Sequence, residues 1–195
     1  MSANPAPPTP PVAQVGDICL IVEPDAAERA RLRDLQEGLR EQFGGQPQER
    51  IHFTCQRFRP ENDDHLAEIL SHLRSGLRTI TPVSIAAGRV EQVDHPFFGV
   101  CVVRWQLDVN DDLYQFQKVV ESALRSGGAP PHYPSHRDHW RPHVTALVSV
   151  PNAQIPFYFN GATAPRYLFT GRKLTLSQVQ PGKQFQILAE IGVGA

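Results

Sequence analysis

Apolar and polar positions alternate along the chain with two periods, close to 2 in some segments and close to 3.6 in others. Within residues 15–22, Ile18-Cys19-Leu20-Ile21-Val22 is an unbroken apolar run, the pattern of a buried strand. Asp25 can cap the helix that follows, in which Leu32, Leu35, Leu39 and Phe43 recur at helical spacing until Gly44-Gly45 ends it. Ile51, Phe53 and Cys55 then alternate with His52 and Thr54, predicting a strand with one apolar and one polar face. Asn62 or Asp63 can cap a second helix that carries Leu66, Ile69, Leu70 and Leu73 and ends near Gly76. Residues 83–93 read as a strand kinked at Gly88, after which Asp94-His95-Pro96 turns the chain into a strand over 97–107. In that strand Cys101, Val103, Trp105 and Leu107 share one face, and Val100, Val102 and Arg104 the other. Asn110, with Asp111 and Asp112, opens a third helix whose stripe is Leu113, Phe116, Val120 and Leu124, closed by Gly127-Gly128. Over 141–148 the period returns to 2, with Val144, Ala146 and Val148 on one face and His143 and Thr145 on the other. Phe157-Tyr158-Phe159 and strands over 174–180 and 185–191 are expected to complete the sheets.

The order strand, helix, polar-faced strand thus occurs twice, over about 18–55 and about 97–148. It predicts an α+β fold of two similar lobes related by a pseudo-twofold, with two antiparallel-rich sheets, outer helices and a cleft between the lobes. Residues 1–14, rich in proline and poor in large apolar groups, are expected to be a mobile tail, leaving 15–195 as one domain.

Composition narrows the function more than the fold. A net charge of −1 argues against a protein that grips nucleic acid over a long electrostatic footprint, so any RNA contact should be small and local. Cys19, Cys55 and Cys101 are odd in number and widely spaced, which points to buried thiols and a reducing, cytoplasmic setting. No apolar run approaches membrane-spanning length, and a monomer is expected.

The chemistry lies in the two polar strand faces. Eight histidines and eight threonines in 195 residues would give about 0.3 His-x-Thr pairs by chance, and here two occur, each on an amphipathic strand. An imidazole and a hydroxyl two residues apart on a strand project together. Two such pairs facing each other would supply a base, an acid and two hydrogen-bond donors, and histidine exists in both protonation states near neutral pH.

At His52-Phe53-Thr54 and His143-Val144-Thr145 the chain resembles the two-histidine phosphoesterase superfamily, which includes the 2′-5′ RNA ligase-like proteins and the 2′,3′-cyclic nucleotide phosphodiesterases. The lead-in Arg141-Pro142-His143 fits that pattern too, and the resemblance spans about 17–191. It implies a metal-independent enzyme without cofactor that opens 2′,3′-cyclic phosphates of RNA 3′ ends or nucleotides to 2′-phosphates. His52 and His143 would act as acid and base, and Thr54 and Thr145 would hold the phosphate oxygens. The family often follows its second motif with a basic residue, where this chain has Ala146-Leu147-Val148. Arg141 is the first choice for the missing cation, with Arg57 and Arg137 behind it. Tyr133 and Trp140, in the loop leading to the second motif, are the candidates for stacking on a base, with Phe98 behind them.

Two other readings compete. His132, His136, His139 and His143 have spacings that a metal-dependent hydrolase could use, although a proline-rich loop does not fix them on one face. A non-catalytic module that binds RNA ends or nucleotides would keep the fold without turnover. ATP-dependent ligation is disfavoured, since neither a glycine-rich phosphate loop nor a lysine in a nucleotidylation-like setting is present.

Overall fold

The computed structural model describes residues 12–95, 99–133, 136–151 and 166–194. Phe98 and Phe157-Tyr158-Phe159 lie outside that set. Thirteen elements follow in order: β1 (Ile18–Val22), α1 (Ala26–Phe43), β2 (Gln46–Pro47), β3 (Phe53–Phe58), α2 (Asp63–Leu77), β4 (Val83–Ile85), β5 (Ala87–His95), β6 (Val100–Leu107), α3 (Asp111–Ser126), β7 (His143–Val148), β8 (Phe169–Gly171), β9 (Lys173–Val179) and β10 (Phe185–Gly192). None of the described helices is long and apolar enough to cross a membrane.

The helix starts are set by side-chain capping. Asp25 and Glu28 form a reciprocal capping box on α1, while Asn62 and Asn110 each accept a backbone N–H three residues on. The second helix runs to Leu77, past Gly76, because nothing at Gly76 breaks its hydrogen bonding. The strand expected over 83–93 is two strands, β4 and β5, and the β5–β6 register slips between Ala87 and Arg89, at the glycine.

The fold is α+β with antiparallel sheets, and both motif strands lie in one large sheet of order β10-β9-β1-β3-β7-β6-β5. The expected division into two sheets therefore does not fall between the motifs; the second sheet is the small β4–β8 pair. The repeated order is visible in the topology, since β1-α1-β3 and β6-α3-β7 place each motif strand beside its own predecessor and next to the other motif strand. The two motif strands meet through a single pair, Phe53↔Val144, and β2 adds Gln46↔Val148 and Pro47↔Leu147 along β7.

One face of the large sheet carries the core, built from Ile18, Leu20, Phe53, Trp105, Val144 and Ala146 together with the buried stripes of the three helices. Gln36 on α1 is fully buried, and its amide donates to the carbonyls of Gln48 (3.1 Å) and Ala146 (2.9 Å). That one side chain ties the helix to the approach to the first motif and to the second motif strand. Gly45, at φ +82°, lets β2 run beside the end of β7, since a Cβ there would stand 2.8 Å from the Val148 carbonyl. At the N-terminus, Ala13 packs on Cys19, Ile21 and Val179, and the Gln14 N–H donates to the Asp17 carboxylate, so the anchored chain begins inside the expected tail.

Candidate active site

The site follows from the strand register. Phe53 and Val144 point into the core, so their neighbours point to the opposite face, and the antiparallel register sets His52 opposite Thr145 and Thr54 opposite His143. All four polar side chains are half-buried. Diagonal neighbours across such a pair lie roughly 7–8 Å apart, so the register brings His52 and His143 to neighbouring positions on one face of the sheet.

Both imidazoles are oriented in the same way. His52 Nδ1 lies 2.9 Å from the Arg50 carbonyl and His143 Nδ1 3.3 Å from the Arg141 carbonyl, in each case two residues back. A carbonyl only accepts, so the ring proton sits on Nδ1 and Nε2 is left for chemistry. The first of these carbonyls is itself held. Arg50 grips Glu23 through two bonds of 2.9 and 3.0 Å, fixing the residue that orients His52. On the other side, Gln106 lies opposite His143 and donates to the Pro142 carbonyl at 2.8 Å.

Burial, aided by the Arg104 guanidinium, pushes the His143 imidazole down to about 3, against the Arg141 carbonyl that favours the charged ring. His52 is also lowered, mainly by burial, while the Glu23 carboxylate works the other way. Protonated His52 opposes protonation of His143, so the two rings titrate within each other's field.

The arginines sort differently from their order in the sequence. Arg141 lies just before β7, is exposed and donates to the adjacent Trp140 carbonyl at 3.2 Å. Arg57 is buried against Asp17 at 3.6 Å and sits over the Tyr133 ring. Arg137 pairs with Asp111 at 2.6 Å. The arginine directly opposite Thr145 is Arg104 on β6, held at 2.8 Å by the half-buried Glu91 of β5. Sequence reasoning placed Arg104 on the correct strand face, but only the β6–β7 register connects it with the second motif.

Trp140 is 2% exposed and belongs to the core, so the expectation that it stacks on a base is corrected: its ring faces are covered. Tyr133 is half-buried, packs on the core and lies beneath the Arg57 guanidinium, with its phenol pushed up to about 12 by burial. The loop histidines fall in two places. His132 accepts from Arg57 at 3.2 Å, while His136 and His139 have ring centroids 5.4 Å apart. Among the described residues no group of three or more His, Cys, Asp and Glu side chains is arranged to hold a metal ion. A histidine that the sequence reading treated only as part of a turn stands at the site instead: His95, at the end of β5, lies edge-on to His143 with centroids 6.3 Å apart.

A search of curated proteins finds no match. Solved structures of similar fold include apo E. coli LigT (13% identity, 94% of this chain and 100% of that one, TM-score 0.59) and TT0787 of Thermus thermophilus (14%, 92% and 98%, 0.61). The MHV ns2 PDE domain is a further one (9%, 89% and 99%, 0.53). The sequence profile of the 2′-5′ RNA ligase superfamily matches residues 23–182 and so spans both His-x-Thr motifs. The chain belongs to the 2′-5′ RNA ligase superfamily, whose fold is that of the two-histidine phosphoesterases.

Proposed function

We propose that the protein is a phosphodiesterase that opens 2′,3′-cyclic phosphates, on nucleotides or RNA 3′ ends, to 2′-phosphates by paired acid and base catalysis. The observation that carries the reading is the crossed register of the two motifs about Phe53 and Val144, with each imidazole held through Nδ1 by a backbone carbonyl so that Nε2 is left for chemistry. Crystal structures of E. coli LigT hold phosphate in one case and 3′-AMP in another, ligands of the kind the paired motifs would hold.

His143, held neutral by burial and by Arg104, is the base: its Nε2 takes a proton as water adds to phosphorus. His52, beside the Glu23 carboxylate, is the acid: its Nε2 gives a proton to the 3′ oxygen as the P–O3′ bond breaks. The bound phosphodiester anion raises both imidazole pKa values, and His52, with a carboxylate beside it, is the one that takes up the proton. Thr54 and Thr145 donate to the non-bridging oxygens. Arg104, opposite Thr145, supplies the cation that the residues after the second motif lack, and Glu91 orients it.

The test is a substrate panel of 2′,3′-cyclic mononucleotides beside an RNA oligomer with a cyclic end, with the product read by phosphorus NMR. A 2′-phosphate from at least one of them is expected. Intact cyclic phosphate throughout would sink the proposal.

A further inference from the structure

The register across β5, β6 and β7 puts Arg89, Gln106 and His143 in one row of the polar face, and Glu91, Arg104 and Thr145 in the next. His95 belongs to the same face, because it follows Arg89 and Glu91 on β5 by an even number of residues. In a flat sheet it would lie about 20 Å along the strand from the row of His143. The two rings are instead 6.3 Å apart, at an interplanar angle of 66°. The far ends of β5 and β6 therefore curl over the face that carries both motifs, and His95 comes to His143 from above the sheet.

The curl has a local cause and is held in place. The β6–β7 register slips between Val103 and Arg104, an irregularity of the kind that bends a strand. Beyond β7, Ser149 at φ +54° redirects the chain, and the Val150 N–H then donates to the Cys101 carbonyl at 3.0 Å, tying down the end of β6. His95 is half-buried there and lines an open cavity with Asp94, Val100 and Ser149.

This placement supplies what the sheet cannot. Thr54, Thr145 and Arg104 all rise from the sheet and would meet phosphate oxygens turned towards it, whereas an oxygen turned away needs a donor from above. A hydrogen bond spans about 3 Å from a ring nitrogen, so imidazoles with centroids 6.3 Å apart can reach the oxygens of one phosphate. An imidazole keeps at least one N–H in either protonation state, so His95 is a donor in both.

Resting on the phosphodiesterase reading, we propose that His95 is a third imidazole at the reacting phosphate, donating a ring N–H to a non-bridging oxygen from the side opposite the sheet.

The experiment measures opening of 2′,3′-cyclic AMP by the parent, His95→Phe and His95→Ala, each shown to be folded by its melting curve. His95→Phe keeps a ring beside His143 but has no N–H, so packing survives and donation does not. In both variants kcat should fall about 10²-fold with KM within about threefold, since the bond strengthens as charge develops on the oxygens. Free imidazole, small enough to enter through the open cavity, should raise kcat of His95→Ala and leave His95→Phe unchanged. His95→Phe at the parent's kcat, or a loss in His95→Ala that imidazole does not lessen, overturns the contact. If the parent opens no cyclic phosphate, the phosphodiesterase reading fails, and the contact is decided by NMR of the parent's imidazole nitrogens on addition of inorganic phosphate. A His95 signal that shifts in step with that of His143 supports it, and a His95 signal that stays in place overturns it.

Discussion

Phe53 lies opposite Val144 where β3 meets β7, both fully buried, and this one apolar pair aligns the two halves of the site. The flanking residues on the other face are His52 and Thr54 on one strand and His143 and Thr145 on the other, so each imidazole faces the partner motif's hydroxyl. A slip of one residue would send all four polar side chains into the core and the buried pair into the cleft. The apolar face therefore fixes the geometry of the polar one.

Arg104 should matter to turnover where Arg141 does not. Arg104→Ala is expected to lower kcat/KM about 10²-fold, Arg104→Lys to restore part of it, and Arg141→Ala to stay within a few-fold, since removing one charged donor to a transition-state oxyanion has effects of that size. Steady-state kinetics on the three variants checks the assignment. Equal losses in Arg104→Ala and Arg141→Ala would contradict it.

The pH profile of kcat/KM should be bell-shaped and displaced to the acid side of 6.5. In the free enzyme His143 must be neutral, and with a pKa of about 3 it is so down to low pH; His52 must be protonated, and burial lowers it. The limb falling with rising pH thus belongs to His52. Placing Gln at position 23 removes the carboxylate that supports the charged ring, and Glu23→Gln should move that limb to still lower pH. A parent profile with its maximum above pH 8 would contradict the assignment.

Stability should respond to acid through the same ring. His143 has a folded pKa of about 3 against an ordinary 6.5, so the unfolded chain binds the proton first, and stability falls as pH drops from about 6.5 towards 3. His143→Gln should flatten that slope in denaturant titrations at pH 7 and pH 5. An unchanged slope would show the ring to be more solvated than its surroundings imply.

Gln36 should be a structural tie with consequences for the site. Gln36→Leu leaves the Gln48 carbonyl without this donor but also removes a buried Oε1 that has no partner, so the net cost is on the order of 1 kcal/mol. Melting should shift down by about 2–4 °C for a chain of this size. A rise in melting temperature would mean that the unpaired oxygen outweighs the two bonds made.

Much of this was legible in the sequence because it is local. The alternation about His52 and His143 placed both hydroxyls and both imidazoles on a polar face, and Asp25, Asn62 and Asn110 marked the helix starts through capping chemistry. What the sequence hid depends on register between distant strands. Arg104 reaches Thr145 only through the β6–β7 pairing, and Glu23 supports His52 by its own charge and by holding Arg50, 27 residues on. Trp140 looked available because it is near the motif in the chain, but core packing covers it. His95 has the local pattern of a turn residue, since nothing near it in the chain shows that the end of β5 reaches His143. β2 and β8, at two and three residues, are too short to carry a periodic signal.

The central claim is that the two imidazoles work as one acid–base pair on a single phosphorus. The most direct measurement follows 2′,3′-cyclic AMP by phosphorus NMR with the parent, His52→Ala, His143→Ala and the double variant, each shown to be folded by its melting curve. Each single change should slow ring opening by about 10²- to 10⁴-fold, and the double variant should be little worse than the worse single one, because the groups act in one step. A double variant that opens the ring at the parent's rate would contradict the account.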